Sequence, residues 1–139
     1  MNRTRLSKQL GVDEGRKRRI YRDTVGKWTV GVGRNIEDRG LRDDEIDLML
    51  SNDIDEALGT ARALLPNFDK LDEVRQEVVV NMAFNLGMTR LGGFRKFLAA
   101  LNAFNYARAA DEMESSMWFK QVGDRARRLV YAMREGKFQ

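Results

Sequence analysis

Asp13-Glu14-Gly15, followed by Arg19-Ile20-Tyr21-Arg22-Asp23-Thr24-Val25-Gly26-Lys27-Trp28-Thr29-Val30-Gly31-Val32-Gly33, is the stretch on which the reading of the fold turns. Leu6 and Leu10 stand four apart among helix formers, and Gly15 follows an acidic pair, so a short first helix should end near Glu14. Beyond it the period changes. β-Branched and aromatic residues flank the turn-like Asp23-Thr24-Val25-Gly26, which predicts a hairpin. Gly31 and Gly33 give the returning strand no side chain to pack there, the usual mark of a close approach by another backbone or a ligand.

Outward from the hairpin the pattern is helical. Asp43 and Asp44 read as an N-cap and first turn, followed by Ile46, Leu50, Ile54, Leu58, Ala61 and Leu65 at helical spacing until Pro66 stops the run. Asn67 to Asp69 should open a second helix, with Asp72 and Glu73 in its first turn and Gly87 at its end. Its middle, Val78 to Phe84, is apolar nearly all round and is expected to be buried. Further helices are expected across 93–103, 105–115 and 124–135, the last running from Asp124 to Gly136. The fold class is therefore α+β and mainly helical, with a small hairpin lobe over about 15–45, a connecting helix over about 43–65 and a helical lobe over about 66–139.

In a chain of 139 residues, 42% hydrophobic content is enough for one core, and a single proline with no low-complexity tract argues for one folded domain, 1–139. Two zeros are more informative. With no cysteine and no histidine, Ser-His-Asp and Cys-His catalysis are excluded, and a catalytic zinc site lacks its main donors. Acid–base chemistry falls to Asp, Glu, Lys or Tyr.

The net charge of +4 is unevenly spread: residues 1–42 carry 12 Lys/Arg and 5 Asp/Glu, residues 43–77 carry 3 and 11, and residues 78–139 carry 10 and 5. Basic surface favours polyanions without choosing among them. The acids from Asp43 to Glu56 lack the order of a calcium loop, so no metal is expected. Arg16-Lys17-Arg18-Arg19 has no base-reading motif around it, so no nucleic-acid partner is expected either. Met1 to Gly11 lacks the apolar stretch of about 7 to 15 residues that a signal peptide needs, and no run of about 20 apolar residues occurs. The expectation is a protein made in the cytoplasm, without stable membrane insertion.

Taken singly, Glu14 is a surface carboxylate at a helix end, Asp23 an ordinary turn residue and Thr29 an ordinary strand former. An ionised Glu at a helix C-terminus faces the negative end of the dipole, which favours the protonated form that a general acid requires. Together with Tyr21-Arg22, Thr24, Gly26, Trp28, Gly31 and Gly33, these residues resemble the phage T4-type lysozyme family, the endolysin muramidases. The separations of nine and then six residues between Glu14, Asp23 and Thr29 match the family pattern. Asn81-Met82-Ala83-Phe84-Asn85-Leu86-Gly87 is similar to the family's buried-helix motif, and Ser116-Met117-Trp118-Phe119 and Arg125-Ala126-Arg127-Arg128 to two late pieces of it.

The resemblance implies a lysozyme-like fold, with helix 1 packed on the helical lobe and an active-site cleft between the lobes. It implies Glu14 as general acid, Asp23 as its partner carboxylate, and Thr29 holding with Asp23 the attacking water of an inverting reaction. Gly33, Phe84, Asn85 and Arg125 become the expected substrate-binding residues, with Arg125 paired to Glu14. Trp118 and Phe84 are expected in the core, although Phe84 can also serve as a sugar platform. The sequence departs from the family at Arg34, where relatives carry His in a structural ion pair, at Asn85, which replaces a Gln and shortens one sugar contact, and in a shorter segment after the hairpin.

The implied reaction is hydrolysis of the β-1,4 bond between N-acetylmuramic acid and N-acetylglucosamine in bacterial peptidoglycan. Two differently tuned carboxylates suffice for it, in keeping with the absence of His and Cys. No cofactor is implied. A free endolysin of this kind works as a monomer, accumulates in the host cytoplasm and reaches the periplasm and cell wall through a partner holin at lysis. The competing readings are a lytic transglycosylase, which uses one Glu and leaves an anhydro sugar, a virion-associated lysozyme, and a catalytically dead protein that binds wall or nucleic acid.

Overall fold

The computed structural model describes all 139 residues. Contacts group Met1–Leu48 into one compact unit and Met49–Gln139 into another, and the boundary falls inside the longest helix.

In the first unit, helix α1 spans Arg3–Glu14. The Asn2 side chain accepts from the Arg5 N–H at 2.9 Å and so satisfies one free donor of the first turn. At the other end Gly15, with φ 76°, donates its N–H to the Gly11 carbonyl at 3.0 Å and turns the chain away, so the helix stops at Glu14 as expected. The hairpin follows as β1 (Lys17–Arg22) and β2 (Trp28–Gly31), antiparallel, with Tyr21 opposite Thr29 and an irregularity in β1 between Lys17 and Tyr21.

In this unit two short elements escape the sequence reading, as the helix Met117–Val122 does in the other. A third strand, β3 (Arg34–Asn35), adds to β2 with Val30 opposite Arg34, and a single helical turn, α2 (Ile36–Arg39), follows it. Asn35 caps α2, its Oδ1 accepting from the Asp38 N–H at 3.0 Å.

Helix α3 runs over Asp43–Leu64, so Asp43 and Asp44 both lie inside its first turn, where acids oppose the positive end of the dipole. The capping contact comes instead from Glu45, which accepts from the Arg42 N–H at 2.7 Å. Towards the C-terminal end Ala57, Ala61 and Leu65 are buried as the periodicity requires, whereas Ile46, Leu50 and Ile54 stay exposed.

In the second unit, helix α4 spans Glu73–Gly92 and carries Val78, Val79, Met82, Ala83 and Leu86 into the core. Around these residues pack Phe97 and Leu101 of α5 (Arg95–Asn102), Ala109, Ala110 and Met113 of α6 (Tyr106–Glu114), Trp118 of α7 (Met117–Val122), and Leu129, Val130 and Met133 of α8 (Asp124–Glu135). Each large apolar side chain fully buried here contributes about 1.5–3 kcal/mol. Helix α8 ends at Gly136 in the left-handed conformation, as the sequence predicts.

Three expectations for this unit need correction. Asn67 does not open α4. Its backbone and side chain are bonded to Asn102 at the end of α5, residues Phe68–Lys70 form a single 3-10 turn, and Asp72 is the N-cap, accepting from the Arg75 N–H at 3.1 Å. Gly87, at φ 77° and ψ 176°, breaks the helical backbone as a glycine can, but helical bonding resumes beyond it to Gly92. Phe84 is not a core residue: it is 44% exposed, while Trp118 is buried at 2%.

Candidate active site

Glu14 is the last residue of α1 and its side chain is exposed. The carboxylate is nevertheless located by a neighbour, because it lies against Gly33, in the loop between β2 and β3, where only a hydrogen occupies the side-chain position. Gly33 has φ +67°, a backbone conformation that favours glycine for its own reasons.

Asp23 occupies the hairpin turn and is half-buried. Its Oδ1 accepts from the N–H groups of Val25 and Lys27, both at 2.9 Å, and its own N–H donates to the Lys27 carbonyl at 2.9 Å. The turn thus folds around the carboxylate, an Asx-type arrangement that explains why Asp is favoured there. Oδ2 is left without a protein partner.

Thr29 on β2 is the one buried polar side chain, 3% exposed, and its hydroxyl donates to the same Lys27 carbonyl at 2.9 Å. Having given up its proton, Oγ1 keeps only acceptor capacity. The first unit therefore brings Asp23 and Thr29 together through the backbone of one residue, Lys27, and brings Glu14 together with Gly33. Lys27 was not among the residues singled out from the sequence. Its contribution is made by backbone atoms, which leave no signature in residue type.

Arg34 takes a structural role. Its guanidinium forms a two-pronged pair with Glu45, Nη1 to Oε1 at 2.8 Å and Nη2 to Oε2 at 2.6 Å, and also donates to the Gly40 carbonyl at 3.2 Å. Both side chains are about three-quarters covered, at 21% and 26% exposure, and the planar fork matches a carboxylate in a way Lys cannot. The Arg34 hydrogen bonds, aided by the Arg42 N–H, hold the Glu45 carboxyl down at about 2. Arg34 is thus ion-paired to an acid at the start of α3.

In the second unit, Arg125 on α8 is committed to α4: its Nε donates to Asn81 Oδ1 at 2.9 Å and its Nη2 to the Asn81 carbonyl at 3.2 Å. Arg125, Asn81 and the exposed ring of Phe84 line one cavity of about 710 Å³, together with Leu50, Ile54 and Val80. Asn85 lies next to Phe84 with its Oδ1 accepting from the Trp118 indole at 2.8 Å. Asn81 appeared in the sequence only as part of a motif, and its bonds to Arg125 across 44 positions could not be read there. No three carboxylates converge as they would to hold a metal ion.

An accessible carboxylate at a helix end, a second one fixed in a hairpin turn and a buried hydroxyl beside it are the groups that acid-assisted hydrolysis needs. The sequence profile described as phage lysozyme matches residues 12–135. Two proteins of Dictyostelium discoideum, named Probable T4-type lysozyme 1 and Probable T4-type lysozyme 2, are each 24% identical, with 94% of this chain and 94% of the relative covered. The pre-baseplate central spike protein of Enterobacteria phage T4 is also 24% identical, over 96% of this chain but 28% of that protein. With the profile match extending from α1 to the end of α8, and with a helical chain bearing a small antiparallel sheet, the protein belongs to the phage lysozyme family of glycoside hydrolases.

Proposed function

We propose that this lysozyme cleaves the β-1,4 bond between N-acetylmuramic acid and N-acetylglucosamine in bacterial peptidoglycan by single displacement with inversion. Glu14 protonates the leaving oxygen. Asp23 and Thr29 hold the attacking water.

One observation carries this reading. The Thr29 proton is given to the Lys27 carbonyl, and Asp23 Oδ1 is occupied by two backbone N–H groups, so what both residues have to offer is acceptors: Thr29 Oγ1 and Asp23 Oδ2. A water bound between two acceptors directs both protons to them and turns a lone pair outward, the orientation of a nucleophile. Asp23 then takes the proton as the water attacks. A transglycosylase has no use for this pair, since its product forms without water.

Gly33, Phe84, Asn85 and Arg125 are proposed as substrate-binding residues, Phe84 because an exposed ring offers a sugar a flat apolar face. The same reading has a monomer acting in host cell lysis, made in the host cytoplasm and passing to the periplasm through a holin. Similarity to the phage T4 spike protein supports a second setting for the same chemistry, on the virion. Finding the chain in purified particles would decide for that setting.

The test is the anomeric form of fresh product, followed by NMR, with mass analysis of the digest. Inversion gives the α-anomer first and a hydrolysed reducing end. A β-anomer or an anhydro end, lighter by one water, would overturn the mechanism.

A further inference from the structure

Asp23 and Thr29 meet at the backbone of Lys27: its N–H donates to Asp23 Oδ1, and its carbonyl, in the next peptide unit, accepts from Asp23 N–H and Thr29 Oγ1. Both the carboxylate and the hydroxyl are hydrogen-bonded to this one residue's backbone. Helix α2, outside the hairpin, reaches the same stretch. The Lys27 ammonium lies 3.4 Å from Glu37 Oε2 and 3.3 Å from Asp38 Oδ1, and Glu37 Oε1 accepts from the next backbone N–H, that of Trp28, at 3.3 Å. Asp38 is itself braced, its Oδ2 accepting from Asn35 Nδ2 at 2.9 Å. Hydrogen bonding by Asp38 and then Glu37 holds the Lys27 ammonium above the usual lysine range, and Asn35 and then Lys27 hold Asp38 below the usual carboxylate range.

The other exposed ion pairs differ in what they touch. Arg62–Asp69 and Arg108–Glu112, in the second unit, join side chains whose hydrogen bonds do not include the backbone around Asp23 and Thr29. Lys27 alone is tied through its side chain to two acids and through its backbone to both groups assigned to the water.

We propose that Lys27, gripped by Glu37 and Asp38, is a positioning residue that sets the separation of the Asp23 carboxylate and the Thr29 hydroxyl, so that α2 tunes water attack without touching substrate. This rests on the assignment of Asp23 and Thr29 given above. Loosening the grip leaves sugar binding alone and misplaces the nucleophile, and a misplacement of this kind costs about tenfold in kcat.

The test uses the full chain and soluble peptidoglycan oligosaccharides. Lys27→Met keeps the aliphatic stem and removes the charge; kcat should fall about tenfold with KM within about twofold. Lys27→Arg, which can still bridge both acids, should restore most of the rate. The Glu37→Gln/Asp38→Asn double variant, which leaves Lys27 in place, should reproduce the loss and serves if Lys27→Met does not fold. Unchanged kcat in the folded variants, a loss expressed equally in KM, or failure of Lys27→Arg to rescue would overturn the proposal. Asp23→Asn and Thr29→Ala in the same assay separate the two claims. If both are inactive while Lys27→Met is unimpaired, positioning alone fails; if both are fully active, the water assignment fails with it.

Discussion

The Glu14 carboxylate rests on the bare Cα of Gly33, so near that a Cβ at that position would come to 2.9 Å from Oε2 and 3.1 Å from Cδ. The missing side chain of one residue is thus what leaves room for the carboxylate of the other.

Two alanine variants isolate that relationship. Gly31 and Gly33 both have positive φ, 69° and 67°, so either substitution carries a backbone cost of about 1–2 kcal/mol. Only at Gly33 does the new methyl meet Glu14; at Gly31 it meets nothing within 4 Å. Thermal denaturation should show similar losses for both, while turnover falls more than about tenfold in Gly33→Ala alone. Equal turnover in the pair would detach Glu14 from the chemistry.

Thr29 should tolerate Ser and not Val. Serine keeps a hydroxyl to donate to Lys27 and accept from water, whereas valine keeps only the shape. Loss of a buried hydrogen bond costs about 1 kcal/mol, and the Lys27 carbonyl is not orphaned because Asp23 N–H still reaches it. Thr29→Val should therefore fold and lose kcat on the order of a hundredfold. Steady-state kinetics on a soluble oligosaccharide checks this, and comparable rates for Ser and Val would remove the hydroxyl from the mechanism.

Acid should weaken the fold through Glu45. Its carboxyl lies at about 2 when folded, against 4.5 as the ordinary value. A depressed folded value means that the pair stabilises fully above about pH 4.5 and that this contribution fades as pH falls from there towards 2. Arg34→Met should lower Tm at pH 6 and flatten the decline of Tm between pH 5 and 2, because the variant no longer has that contribution to lose. Parallel Tm curves for the two proteins would mean that the pair does not stabilise the fold.

Salt should slow lysis of whole walls more than cleavage of short neutral glycans. All seven Lys and Arg residues from Arg3 to Arg19 lie outside the ion pairs, which begin at Lys27. Their attraction to an anionic envelope is screened beyond about 8–10 Å at physiological ionic strength. Changing Arg16, Lys17, Arg18 and Arg19 to Ser should flatten the salt dependence on walls and leave the rate on a short glycan as it was. A steep dependence that survives the change would assign recruitment to another surface.

Long periodic elements were legible from the sequence, and short ones were not. Helices α1, α3 and α8 emerged with their stops because apolar spacing, Gly15, Pro66 and Gly136 all agreed. β3, α2 and α7 hold two, four and six residues, too few for a period to show. Asn67 and Asp72 are equally good caps by type, and only the bonds to Asn102, 35 positions away, decide between them. Phe84 shared an apolar stretch with Val78 and Met82, yet it faces a cavity that no local pattern describes. At the candidate site, Glu14, Asp23 and Thr29 were singled out through the resemblance to the family, since each taken singly is an ordinary residue of its place in the chain. The backbone N–H and carbonyl of Lys27 and the open face of Gly33, which hold them, are backbone features without residue signatures.

The bond from Trp118 to Asn85 has a directional consequence. An indole nitrogen can only donate, so it fixes which end of the Asn85 amide faces it: the oxygen is turned to Trp118 and the NH2 is turned away. The exposed half of Asn85 is then a one-way reader, able to give hydrogen bonds and unable to receive them. A carbonyl oxygen such as that of an N-acetyl group satisfies it; an ammonium in the same place would meet two hydrogens with none of its own accepted.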